Sequence, residues 1–143
     1  MEHFLDKVNP GHYRDGSFPR EPLQCIDVCR HLPFCIGNAV KYIWRAGKKD
    51  GESWRDDLDK AMWYIHYHEV EMGTPRREYT DALAELATVQ GQDLDGLELD
   101  RYNCIAGLLD GETNRELAVM RFLIAMERRE NWVAAGNTEE PEQ

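Results

Sequence analysis

Apolar positions in this chain recur at helical spacings, and almost nowhere at the two-residue spacing of a strand. Within PLQCIDVCRHLPF, Leu23, Ile26, Cys29 and Leu32 share one period, with Pro22 suited to a helix start and Pro33 to a stop. CIGNAVKYIWRAG then sets Ile36, Ala39, Val40, Ile43 and Trp44 on one face, and Gly47 falls where a C′ glycine would. Ser53 is placed to cap a third helix with Asp56 and Asp57 near its first turn. Its stripe of Leu58, Ala61, Met62 and Ile65 runs to about Val70, before the break GTP. Residues 77–89, 98–109 and 114–132 read as further helices, the last capped by Thr113 and carrying Leu117, Met120, Leu123 and Ile124. The most strand-like segment, EPLQCIDV, still fits a helix better.

These elements predict an all-α protein, a single compact helical domain of about five to six helices behind an irregular N-terminal loop. Pro10, Gly11, Gly16, Pro19 and Pro22 forbid a long regular element before residue 22. The expected organisation is a core over residues 1–72, a helical extension over 73–134 and a disordered acidic tail over 135–143. A chain of 143 residues suits one domain with a substantial core.

Charge sharpens this picture. Residues 1–60 hold ten Lys/Arg and ten Asp/Glu, whereas residues 61–143 hold seven and seventeen, giving a net charge of -10. Such a chain is poorly matched to nucleic acid, whose phosphates demand cations, so no DNA is expected as a partner. A local cationic pocket for a small phosphorylated ligand remains open, and the balanced first half is where it would sit. No apolar run approaches the ~20 residues of a membrane span, and MEHFLDKVNP lacks the character of a signal peptide. A cytoplasmic location is expected, with Cys25, Cys29, Cys35 and Cys104 as reduced thiols.

Candidate chemistry gathers in three places. On the second helix Asn38, Lys41 and Arg45 fall at i, i+3 and i+7, bordered by Tyr42 and extended by Lys48 and Lys49. This is either an anion pocket or a solvated helix end whose cations offset the dipole. RAGKKDGES is not a Walker A loop, because Tyr42 and Lys49 stand where the motif needs Gly and Ser or Thr. In the loop VNPGHYRDG, His12 and Tyr13 suit proton transfer or phosphate contact and base stacking, or else simple loop packing. On the third helix Asp57, Lys60 and Tyr64 share a face, and Asp57 could orient an acceptor, hold a metal or pair with Arg45 or Lys41. Cys25 and Cys29, at i and i+4, with His31 and Cys35 nearby, could be drawn as a zinc site but read better as core, and no metal site is assigned.

Taken in order, DKVNPGHY, CIDVCRHL, GNAVKYIWRAGKK and DDLDKAMWYI closely resemble a family of small tailed-phage proteins, known as a SaV-like domain of unknown function and as phage nucleotide kinases. The resemblance covers residues 6 to about 70. It implies phosphorylation of dTMP and dGMP to the diphosphates without a Walker motif, in a host cytoplasm. Asn9, His12 and Tyr13 match the family's loop signature, Asn38, Lys41, Tyr42, Arg45, Lys48 and Lys49 its second, and Asp57 and Lys60 its third.

With that resemblance, His12, Asp57, Lys41 and Arg45 are the expected catalytic residues. Asn9, Tyr13, Asn38, Tyr42, Lys48, Lys49, Lys60 and Tyr64 are the expected nucleotide contacts. ATP or another NTP would donate the phosphate, with Mg²⁺ possible though no clear ligand set stands out. Three alternatives stay open: a non-catalytic sponge for a nucleotide or cyclic nucleotide of host defence, an all-α NTP pyrophosphohydrolase built on Glu78, Asp81 and Glu85 with Asp56 and Asp59, and a structural protein whose acidic half docks a basic partner. The aromatic residues Trp44, Trp54, Trp63, Tyr64 and Tyr67 suggest a homo-oligomer. Replacing Lys41 or Arg45 by Ala should abolish nucleotide affinity and leave the helical fold.

Overall fold

The computed structural model describes residues 23–48, 51, 53–89 and 94–138, and the chain is all-α over them, with no strand. Helix α1 spans Cys25–Cys29, α2 Phe34–Arg45, α3 Trp54–His66, α4 Thr80–Leu86, α5 Gly96–Leu109 and α6 Arg115–Ala134. A π-helical turn, Tyr67–Glu71, continues α3, and a 3₁₀ turn, Ala87–Val89, follows α4. Among these residues no helix is long and apolar enough to cross a membrane. Asn9, His12, Tyr13 and Lys49 lie outside the described residues, as do 139–143 of the expected tail.

The expected apolar face of α2 forms the centre of the fold. Ile36, Ala39, Val40 and Ile43 are fully buried against Leu58, Ala61 and Ile65 of α3 and Ile105 and Leu108 of α5. Val119, Phe122 and Met126 of α6 close the same core, so residues before and after 73 share one apolar cluster. Ala46 ends α2 as C-cap, and Gly47 follows with φ +80°, the left-handed C′ position its sequence foretold. A Cβ there would stand 2.8 Å from the Met126 methyl. The Ser53 side chain accepts from the Arg55 amide at 3.2 Å and so caps α3.

Several boundaries differ from the sequence reading. α1 is only five residues long, and Ile26, expected in its stripe, is 56% exposed while Val28 fills the core. A single helical turn cut short before Pro33 has no long period to keep, and packing against α2 and α4 chooses its buried side. The stripe of α3 ends in His68 rather than Val70, which is exposed. Residues 77–79 are not helical: Tyr79 instead sends its amide to the Leu109 carbonyl at 2.9 Å. The cap of α6 is Asn114, whose side chain accepts from the Leu117 amide at 3.0 Å. Thr113 is occupied elsewhere, donating its hydroxyl to Asp110 at 2.5 Å.

Candidate functional site: a cationic and aromatic face

Helices α2 and α3 pack against each other more extensively than any other pair, and their outer edges carry the candidate residues. Apolar residues at 36, 39, 40 and 43 fix the rotation of α2. Lys41 is thereby turned to solvent, with Tyr42 and Arg45 held at the rim of the interface. On α3 the same logic, through Leu58, Ala61 and Ile65, brings Lys60 and Tyr64 to the facing rim.

Three cations converge on one ring. Lys41 Nζ lies 4.8 Å from the centroid of Tyr42, the Arg45 guanidinium 4.8 Å and Lys60 Nζ 5.4 Å. Tyr42 stacks on Tyr64 across the helix interface, centroids 6.0 Å apart and planes 17° from parallel. Edge contacts continue from Tyr64 to Phe34 at 6.2 Å and to Trp63 at 5.1 Å, and Trp63 stacks on Tyr67 at 5.4 Å. Phe34, Trp63 and Tyr67 are 76%, 59% and 42% exposed. Cations held together over an aromatic surface are suited to anions that also present a flat ring.

Asp57 is the anchor beneath this face. It shares the expected side of α3 with Lys60 and Tyr64 but is only 1% exposed. Arg45 donates to its Oδ1 through Nε at 3.3 Å and Nη2 at 3.2 Å. The interhelical ion pair, one of the alternatives the sequence left open, is therefore what forms. Asp57 Oδ2 is buried with no hydrogen-bond partner among the described residues. Asn38 sends one amide hydrogen back to the Phe34 carbonyl at 2.8 Å, which leaves its side-chain oxygen and second amide hydrogen for a ligand. Lys48 is drawn away from the face, pairing with Glu98 of α5 at 3.3 Å.

Of the described candidates, Asn38, Lys41, Tyr42, Arg45, Asp57, Lys60 and Tyr64 thus lie on adjoining rims of two helices, and Lys48 does not join them. Sequence reasoning missed Phe34 and gave Trp63 and Tyr67 only an interface role. Their signal was spacing, since 34 and 38 and likewise 60, 63, 64 and 67 lie one helical turn apart. It also missed Arg101, 2% exposed, whose Nη1 donates to the carbonyls of Ile43 at 2.6 Å, Trp44 at 3.2 Å and Ala46 at 2.9 Å. This side chain from α5 caps the C-terminus of α2 and so fixes the helix that presents Lys41 and Arg45.

The described residues hold no ready-made cage for a divalent cation. No three His, Cys, Asp or Glu side chains among them converge, and Glu85 is engaged by Arg30 at 3.4 Å and His31 at 3.8 Å. No catalytic step is therefore routed through Mg²⁺.

The fold and face define a class: an all-α protein with a cationic, aromatic-lined helix pair. Residues 7–66 match the model of a family of proteins of unknown function, DUF3310. The match ends on the last residue of α3 and so takes in the α2–α3 face apart from Tyr67. No curated protein and no solved structure matches this chain.

Proposed function

We propose that the α2–α3 face binds a nucleotide and that the chain acts as a deoxynucleoside monophosphate kinase without a P-loop, converting dTMP or dGMP to the diphosphate. The observation that carries this reading is the convergence of Lys41, Arg45 and Lys60 on Tyr42, itself stacked on Tyr64. Phosphoryl transfer is mainly positioning and neutralisation of charge, both within reach of fixed cations. Arg45 is oriented by Asp57, whereas Lys41 and Lys60 form no ion pair with a described carboxylate. Phe34, Trp63 and Tyr67 offer exposed ring faces for a base. The resemblance of the ordered sequence motifs to those of phage nucleotide kinases favours a nucleotide over other anions. His12 and Asp57 remain the proposed groups for proton handling or acceptor placement, and ATP or another NTP the proposed donor.

Sequestration without turnover is the second reading, favoured by a face that supplies cations and rings but no convergent carboxylates among the described residues. Binding requires grip on the ground state only, whereas catalysis requires a tighter grip on the transition state. Incubation of the protein with dTMP and ATP, followed by chromatography, separates the two. Diphosphate product supports the kinase, and stoichiometric recovery of bound, unchanged nucleotide supports the sponge. Pyrophosphate release would turn the assignment toward a hydrolase, and absence of both binding and turnover would remove the nucleotide reading.

A further inference from the structure

Helix α1 begins and ends in a thiol. Cys25 and Cys29 lie one turn apart, on the same side, with their sulfurs 3.5 Å from each other, and either can donate across the contact. Both are partly exposed, unlike Cys35 and Cys104, which are buried. Two thiols in contact at a helix surface are not required by packing, since a pair of apolar side chains would fill the same space without their chemistry.

The surroundings divide the roles. Ionisation of Cys29 is favoured by the S–H of Cys25, which can donate to its sulfur, and then by the Lys41 cation, so its thiol is held below the ordinary range against the effect of burial. Cys25 is displaced upward, because its proton is the one shared with Cys29 and because burial adds to this. The Gly37 carbonyl, which accepts from Cys29 at 3.5 Å, works against ionisation. Cys104, pushed up to about 12 by burial, is an inert thiol in the same molecule.

We propose that Cys25 and Cys29 form a redox-reactive dithiol, with Cys29 the thiol that attacks a hydroperoxide and Cys25 the one that resolves it. The Cys29 thiolate takes the terminal peroxide oxygen, the O–O bond breaks, and the departing alkoxide or hydroxide picks up a proton. Cys25 then attacks the sulfur of the resulting sulfenic acid, the S–O bond breaks, and water leaves with the Cys25 proton. Two thiols and one hydroperoxide give one disulfide, one alcohol or water, and one further water. Each sulfur loses one electron and the peroxide gains two.

Closing the bond changes the fold locally. Side chains one turn apart have Cβ atoms ~5–6 Å from each other, whereas a disulfide holds them within ~3.5–4.5 Å. The helix must tighten or unwind, and α1 is only five residues long. The Cys29 bond to Gly37 of α2 is lost in the same step. This inference does not depend on the nucleotide reading.

The test uses the intact reduced protein. Under limiting iodoacetamide at neutral pH, peptide mapping should show Cys29 alkylated about tenfold or more faster than Cys25 or Cys104. A hydroperoxide pulse should remove about 2 Da from the single peptide holding both Cys25 and Cys29, and dithiothreitol should restore it. In Cys25→Ser the sulfenic acid at Cys29 should be captured by dimedone. Equal alkylation of Cys25 and Cys29, or a peroxide-treated wild-type protein in which the two thiols are unlinked, would overturn the proposal whatever the variant does.

Discussion

Lys41 and Arg45 are neighbours on one helix face, yet the structure gives them different obligations. Lys41 is exposed and rests its charge against Tyr42 without an ion pair to a described carboxylate. Its replacement by Ala should weaken nucleotide binding about tenfold or more by calorimetry, with the unfolding free energy from urea titration unchanged to within about 0.5 kcal/mol. Arg45 neutralises a buried carboxylate, so Arg45→Ala should cost roughly 3 kcal/mol of stability, below the upper range because its side chain is 28% exposed. Only Lys41 is thus a clean probe of the site, whereas the sequence suggested both. His68 is a second residue whose setting decides its behaviour: it is 1% exposed, with both ring nitrogens unpartnered among the described residues. Burial, and then the Arg115 charge, hold its pKa below the usual 6.5 against the pull of Glu69. The folded protein therefore takes up this proton at lower pH than the unfolded chain. The contribution is complete above about pH 6.5 and is lost as pH falls through that value toward the folded pKa. His68→Leu should flatten the acid limb below about pH 6.5 in urea titrations, and an unchanged slope would exclude His68 as its source.

At the scale of elements, the helices with sustained apolar stripes were legible in the sequence. Ile36, Ala39, Val40 and Ile43 fixed α2, Leu58, Ala61 and Ile65 fixed α3, and Gly47 and Ser53 marked their facing ends. Short elements were not legible, because tertiary contacts override one turn of periodicity: α1 buries Val28 and not Ile26, and Tyr79 bonds to Leu109 instead of starting α4 early. Lys41, Tyr42, Arg45, Lys60 and Tyr64 of the candidate site followed from spacing, but the burial of Asp57 did not, since nothing local distinguishes it from the exposed Asp56 and Asp59. Arg101 was invisible for the same reason. It lies 55 residues or more from the carbonyls it serves. Arg101→Met would strand those carbonyls in the interior and should cost about 3 kcal/mol or more in chemical unfolding, with little relief from the added apolar contact. The α5–α6 turn makes a comparable demand at Gly111, where φ is +78° and a Cβ would stand 2.8 Å from the backbone of Arg77 and Glu78. Gly111→Ala should lower stability by about 2 kcal/mol or more, from left-handed strain and from pushing one chain segment off another.

At the scale of the whole molecule, several described basic residues of the first half pair with acidic residues of the second. Arg30 meets Glu85, Lys48 meets Glu98, and Arg55 meets Glu127 and Glu130 at 3.2–3.7 Å. Basic side chains of the near-neutral first half thus meet acidic ones of the second, while Lys41 and Lys60 stay turned toward the α2–α3 face. Individually such exposed pairs contribute little.

The plug that Arg101 makes in the end of α2 has a consequence for modularity. The family match stops at residue 66, as though a portable unit ended there. Yet the carbonyls of Ile43, Trp44 and Ala46 depend on a donor supplied from residue 101, and Leu58 and Ile65 share their core with Phe122 and Met126. A chain ended after residue 72 should lack a cooperative thermal transition, and adding residues 73–138 as a separate polypeptide should restore one. If instead the short chain melts cooperatively alone, α2 can close its own end, and the recognised segment can be moved between proteins without the partner it has here.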